Sequence, residues 1–204
     1  DYTAAKLLED IKGASCCIDI HSSNIFLQEV PQVRLNDDYD ETLLHLSKYM
    51  NTDLVWIHPS QTVNEGSLAY ALNQMGIPTM VTESGAAFRI RYEYCRQIID
   101  GIFSVMAELG IWKGKTNGKT DVPFINEDKI CYLNCESSGL FVSYKRLKDH
   151  VKKGEIIGII QNPLMGATEE EVIAPVDGIL MTLREHPSVT EGSLVARVIG
   201  GGKL

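Results

Sequence analysis

The chain has 204 residues, enough to bury a core without metal or disulfide staples, and room for one domain or two small ones. Hydrophobic residues make up 44% and charged residues 23%, which is the balance of a folded chain and argues against wholesale disorder. Acidic residues outnumber basic ones 27 to 19, for a net charge of -8, and the only basic run is Lys145 to Lys153, so a nucleic-acid partner is disfavoured; no apolar run reaches the ~18–20 residues of a membrane-spanning helix.

The opening residues read as a capped helix over about 3–12, with Ala4, Leu7, Leu8 and Ile11 as its apolar stripe. No initiator Met and no signal peptide precede it, so the chain is expected to begin inside a longer gene product. The run Cys16-Cys-Ile-Asp-Ile20 reads as a buried strand, and the segment holding Val30, Pro31, Val33 and Leu35 as looser structure. Helices are expected over 39–50, 64–75 and 92–109, and short apolar strands over 54–57 and 79–82. Gly76 with Pro78 stops the second of these helices, and Gly110 the third. Short strands alternating with helices predict an α/β unit with a mostly parallel sheet over 1–115.

Residues 113–122 are polar and glycine-rich and read as a linker. From 123 to 204 the pattern changes to short β-type runs between turns, with no strong helix, which predicts a small all-β domain. The five cysteines, Cys16, Cys17, Cys95, Cys131 and Cys135, are odd in number, and two are adjacent. That usage suits a reducing cytoplasm better than a disulfide framework.

Ligands in open α/β sheets bind outside the carboxyl ends of the strands. His21, His58 and Glu83 follow three of the expected strands, which predicts that they share one rim. Asp19 and His21 are two apart on a strand and so project from one face. A carboxylate there accepts the ring N–H, fixes the tautomer and strengthens the histidine as a metal ligand. Glu83, in Thr82-Glu-Ser-Gly85, sits where a general base would meet a substrate brought close by the glycine, although a capping or ion-paired surface Glu fits the same pattern. Arg89 and Arg91 offer bidentate pairing to an anionic substrate, or solvated charge. His58 reads as a polar residue leaving its strand, and His45, His150 and His186 carry no assigned chemistry. Neither a Gly-x-Ser-x-Gly elbow nor a phosphate-cradling glycine motif occurs.

The order Ile18-Asp-Ile-His21, Gly76-Ile-Pro78, Thr82-Glu-Ser-Gly85 resembles the succinylglutamate desuccinylase/aspartoacylase family of zinc hydrolases. The resemblance implies a carboxypeptidase-like α/β fold, with His21 as the third zinc ligand and Glu83 as the catalytic carboxylate. Val151-Lys-Lys-Gly154, Ala174-Pro-Val-Asp-Gly178 and Val189-Thr-Glu-Gly192 resemble the family's C-terminal domain, itself similar to biotinyl and lipoyl modules. Carrier modules hold a lysine at a hairpin tip, and Gln161-Asn-Pro-Leu-Met-Gly166 has none, which disfavours a swinging arm.

The family's first two ligands come from a His-x-x-Glu motif upstream of Asp-x-His, and no such motif precedes His21. One histidine cannot hold catalytic zinc, which takes three protein ligands and an open position. The resemblance therefore implies zinc-dependent hydrolysis of an N-acyl amide in a small molecule, with a missing N-terminal segment supplying the other ligands; the residue pattern adds Asp19 behind His21 and Arg89 as the expected substrate-binding residue. The alternative is a non-catalytic binding module or pseudoenzyme fragment, whose β unit docks on a partner or forms a homo-oligomer contact.

Overall fold

The computed structural model describes residues 2–59 and 67–201. In chain order the elements are α1 (Tyr2–Ile11), β1 (Cys17–Ser22), β2 (Leu27–Asn36), α2 (Glu41–Ser47), β3 (Leu54–His58), α3 (Leu68–Gln74), β4 (Thr79–Gly85) and α4 (Tyr92–Glu108). There follow β5 (Phe124–Asn126), β6 (Ile130–Asn134), β7 (Gly139–Ser143), β8 (His150–Val151), β9 (Ile156–Gln161), β10 (Thr168–Ile173), β11 (Gly178–Arg184), β12 (Ser188–Val189) and β13 (Leu194–Gly200). No helix among the described residues is long and apolar enough to cross a membrane. The first residues of the helix expected over 64–75 lie outside the described residues.

The segment expected to be loose is the ten-residue strand β2, and it organises the molecule. Proline has no N–H for a ladder, which is why the sequence reads against a central strand. The structure accommodates Pro31 at a break in register: β2 pairs with β4 at Glu29–Gly85 and resumes at Gln32–Glu83. The Pro31 carbonyl is satisfied by the N–H of Asp53. On its other edge β2 pairs first with β11, over Leu27 to Glu29, and then with β3, from Gln32 to Asn36.

The sheet is mixed rather than mostly one-directional. β1–β4, β2–β3 and β3–β5 are parallel, but β2–β4 and β2–β11 are antiparallel. Strands β11, β13 and β6 continue the same nine-stranded sheet, and β5 joins β3, so hydrogen-bonded strands run across the boundary expected near 115–123. A second sheet, β10-β9-β7-β12, packs over the far end. Phe141, Ile157 and Ile160 from this sheet meet Leu180, Val195 and Val198 from the other in one apolar core.

The first half has its own core. Val33, Leu35, Val55 and Met80 from one sheet face meet Leu43 and Leu46 of α2 and Ile98 and Val105 of α4. Gly101 permits α4 to lie this close: a Cβ there would sit 1.9 Å from the Met50 carbonyl oxygen. Local chemistry sets the starts of the elements. Asp40 caps α2 by accepting the Leu43 N–H, and Ser67 caps α3 by accepting the Tyr70 N–H. Asn73 on α3 brackets the start of β4, accepting from the Thr79 N–H at 2.8 Å and donating to the Thr79 carbonyl at 3.0 Å.

Candidate active site

His21 and Glu83 both lie one or two residues inside their strands rather than beyond them. Parallel pairing of β1 with β4 sets them side by side in register, as it does Asp19 and Val81. One sheet face thus presents Asp19, His21 and Glu83 together. These residues border a cavity of about 440 Å³, whose walls also include Arg34, His58 and Tyr70.

The expected Asp19–His21 pair is formed: Nε2 of the half-exposed ring lies 3.1 Å from Oδ1 of Asp19. Asp19 therefore engages one ring nitrogen and leaves Nδ1 as the other candidate donor for a ligand bond. Among the described residues no group of three or more His, Cys, Asp or Glu side chains is arranged to hold a metal ion.

Glu83 is only 7% exposed. Its Oε2 lies 3.3 Å from Nη1 of Arg34, and its Oε1 is buried with no hydrogen-bond partner among the described residues. Burial pushes the Glu83 carboxyl above its ordinary range; Arg34 works against this and Glu29 with it. A desolvated carboxylate of raised basicity with one unpartnered oxygen, in a residue that borders the cavity, is equipped to take a proton.

His58 does not share the rim of His21 and Glu83. β3 runs parallel to β2 whereas β4 runs antiparallel to it, so their carboxyl ends point opposite ways. His58 reaches the same cavity from its other end, stacked on Trp56 with ring centroids 4.1 Å apart. Burial, then the Arg34 charge, holds its pKa down at about 4, so the ring is neutral at pH 7. Arg89 is not among the residues lining the cavity: its Nε is 3.5 Å from Oε1 of Glu185, and Arg91 binds the same carboxylate at 3.2 Å.

The sequence reading passed over a group of buried charges beside Glu83. Glu29, 2% exposed, receives Arg34 Nη2 at 2.8 Å and Arg197 Nη1 at 2.6 Å. Both guanidinium groups lie against Trp56, at 5.1 and 5.3 Å from its ring centroid. The signal was present as charged residues inside apolar runs, Glu29 and Arg34 in β2 and Arg197 in β13. Charges so placed are buried only when paired.

No sequence-family profile matches the chain, and no curated protein sequence does. Solved structures do. A product-bound structure of the ectoine utilization protein EutE (DoeB) from Ruegeria pomeroyi aligns at a TM-score of 0.80 and 22% identity, over 97% of this chain and 61% of that one. A succinylglutamate desuccinylase from Silicibacter sp. TM1040 aligns at 0.81 and 23% identity, over 98% and 61%. A succinylglutamate desuccinylase/aspartoacylase from Rhodobacter sphaeroides aligns at 0.76 and 21%, over 98% and 63%. The chain spans about three fifths of the length of these proteins. It has the fold of the corresponding part of succinylglutamate desuccinylase/aspartoacylase structures.

Proposed function

We propose that the chain is the His21- and Glu83-bearing part of a metal-dependent amidohydrolase of the succinylglutamate desuccinylase/aspartoacylase type, which cleaves an N-acyl amino acid or a similar small N-acyl amide. The observation that carries this reading is the juxtaposition of the Asp19–His21 pair with a buried, half-unpartnered Glu83 on one cavity wall. The described residues do not complete a zinc site. They offer His21 as one of the three protein ligands that catalytic zinc takes. The other two would come from a segment outside these 204 residues. β1 pairs with β4 alone among the described residues, and an apolar cavity of about 410 Å³ flanks it, so a segment added along its open edge would pass beside His21.

When bound, zinc would supply a Lewis acid for the scissile carbonyl and lower the pKa of a water. The chain's own residues do the rest. Asp19 holds the His21 ring in one orientation and tautomer. Glu83 Oε1 accepts a proton from the attacking water and returns it to the departing amine nitrogen. Arg34 steadies the other carboxylate oxygen. Arg89 would bind an acidic substrate group only after leaving Glu185. The odd number of cysteines, with Cys16 and Cys17 adjacent, fits a reducing cytoplasm, where this reading puts the reaction.

Glu83→Gln in the complete enzyme should lower kcat by ~10²–10⁴, the range for general acid–base work, and leave the fold intact. Undiminished activity would remove Glu83 from the mechanism. The rival reading is a binding module without catalytic metal. It draws on the lack of a three-ligand group among the described residues, and it expects no zinc in any active context.

A further inference from the structure

We infer that Arg197, on β13 in the second half of the chain, is a positioning residue for Glu83, acting through Glu29 and Arg34. The inference rests on Glu83 being the general base, as proposed above. The path is continuous, with both carboxylates buried and both arginines partly buried. Glu83 Oε2 meets Arg34 Nη1 at 3.3 Å, Arg34 Nη2 meets Glu29 Oε2 at 2.8 Å, and Glu29 Oε1 meets Arg197 Nη1 at 2.6 Å. The four charges alternate in sign and cancel.

Such a chain is a poor device for stability alone, because well-packed apolar residues do as well at such sites or better. Its geometry explains its placement instead. Arg34 serves two carboxylates with two different nitrogens. Glu29 does not monopolise Arg34, because Arg197 neutralises its other oxygen and Thr182 donates to that same oxygen at 3.4 Å. Arg197 is itself fixed, lying over the Trp56 ring at 5.3 Å and the Tyr132 ring at 5.0 Å. Glu127 anchors both rings, accepting from Trp56 Nε1 at 2.9 Å and from the Tyr132 hydroxyl at 2.7 Å. The consequence is that Glu83 is held by one oxygen, and its buried Oε1 stays unpartnered.

Without Arg197, Glu29 keeps Arg34 as its cation and draws it into a two-nitrogen pair, away from Glu83. A displaced carboxylate of ~1 Å can lower a rate 10²-fold. Arg197 reaches both Glu29 and Thr182 through Nη1 alone, so one ammonium nitrogen can replace it.

The test compares Arg197→Met, Arg197→Lys and Glu83→Gln in the complete enzyme, assayed on a panel of N-acetyl amino acids. The Met variant should lose ~10- to 100-fold in kcat with KM within about threefold, and the Lys variant should recover most of that loss. A crystal structure of the Met variant should show Arg34 Nη1 beyond 4 Å from Glu83 Oε2. A Met variant with unaltered kcat beside an inactive Glu83→Gln would overturn the inference and leave the base assignment standing. Equal loss in the Lys and Met variants, or an Arg34–Glu83 contact that persists in the crystal, would also overturn it. An active Glu83→Gln would instead overturn the reading on which the inference rests.

Discussion

Two regions of the nine-stranded sheet bury different chemistry. Under the second sheet the core is apolar throughout, with Phe141, Ile157, Ile160, Leu180 and Val195 all nearly inaccessible. Where β2 meets β4 and β11 the buried side chains include Glu29, Gln32, Glu83 and Thr182. The first region follows from hydrophobic area at ~25 cal/mol per Å² buried. The second opposes that trend, since each ion removed from water is penalised by several kcal/mol unless paired. Charge buried at one junction of an interior that is elsewhere largely apolar points to chemistry there.

Breaking the junction should have among the largest effects on stability. Glu29→Gln removes a buried carboxylate from between two partly buried arginines and should lower stability by about 3 kcal/mol in denaturant unfolding. The double variant Glu29→Met with Arg197→Met leaves Arg34 facing Glu83 as a balanced pair, and should lose less than Glu29→Gln alone. A larger loss in the double variant would mean that the charges are ordinary packing. In the apolar region, Ile160→Ala should lower stability by about 3 kcal/mol through a cavity, while leaving kcat within about twofold.

His58 distinguishes the regions by pH. Its pKa is about 4 in the folded chain against an ordinary 6.5, so the unfolded chain takes up the proton first as pH falls. The stability linked to the neutral ring is present above pH 6.5 and is lost between 6.5 and about 4, roughly 3 kcal/mol in all. His58→Phe keeps a ring on Trp56 and should abolish most of that acid-range loss in unfolding midpoints. Smallest of all, Arg89→Ala breaks an exposed ion pair with Glu185 and should change stability by less than about 1 kcal/mol.

The sequence made local features legible and left the long-range ones hidden. Apolar runs and stop signals located β1, β3, β4 and α4 to within a few residues. Asp19 and His21 were readable as a pair because they are two apart on one strand, and that contact is local. β2 was missed because Pro31 argues against a central strand, and only its non-local partners reveal the break in register that accommodates it. The antiparallel turn of β2 against β4 separated His58 from the rim of His21 and Glu83, and strand direction is a property of topology. Arg197 is 114 residues from Glu83, and nothing local announces that the two share a buried chain of charges.

Whether His21 holds a metal while Glu83 moves the proton is decided by elemental analysis of the complete enzyme as the unaltered protein, His21→Ala and Glu83→Gln. Stoichiometric zinc in the unaltered protein and in an inactive Glu83→Gln, with zinc lost from His21→Ala, is the expected result. Zinc retained without His21, or absent from the active unaltered protein, would remove His21 from the metal site.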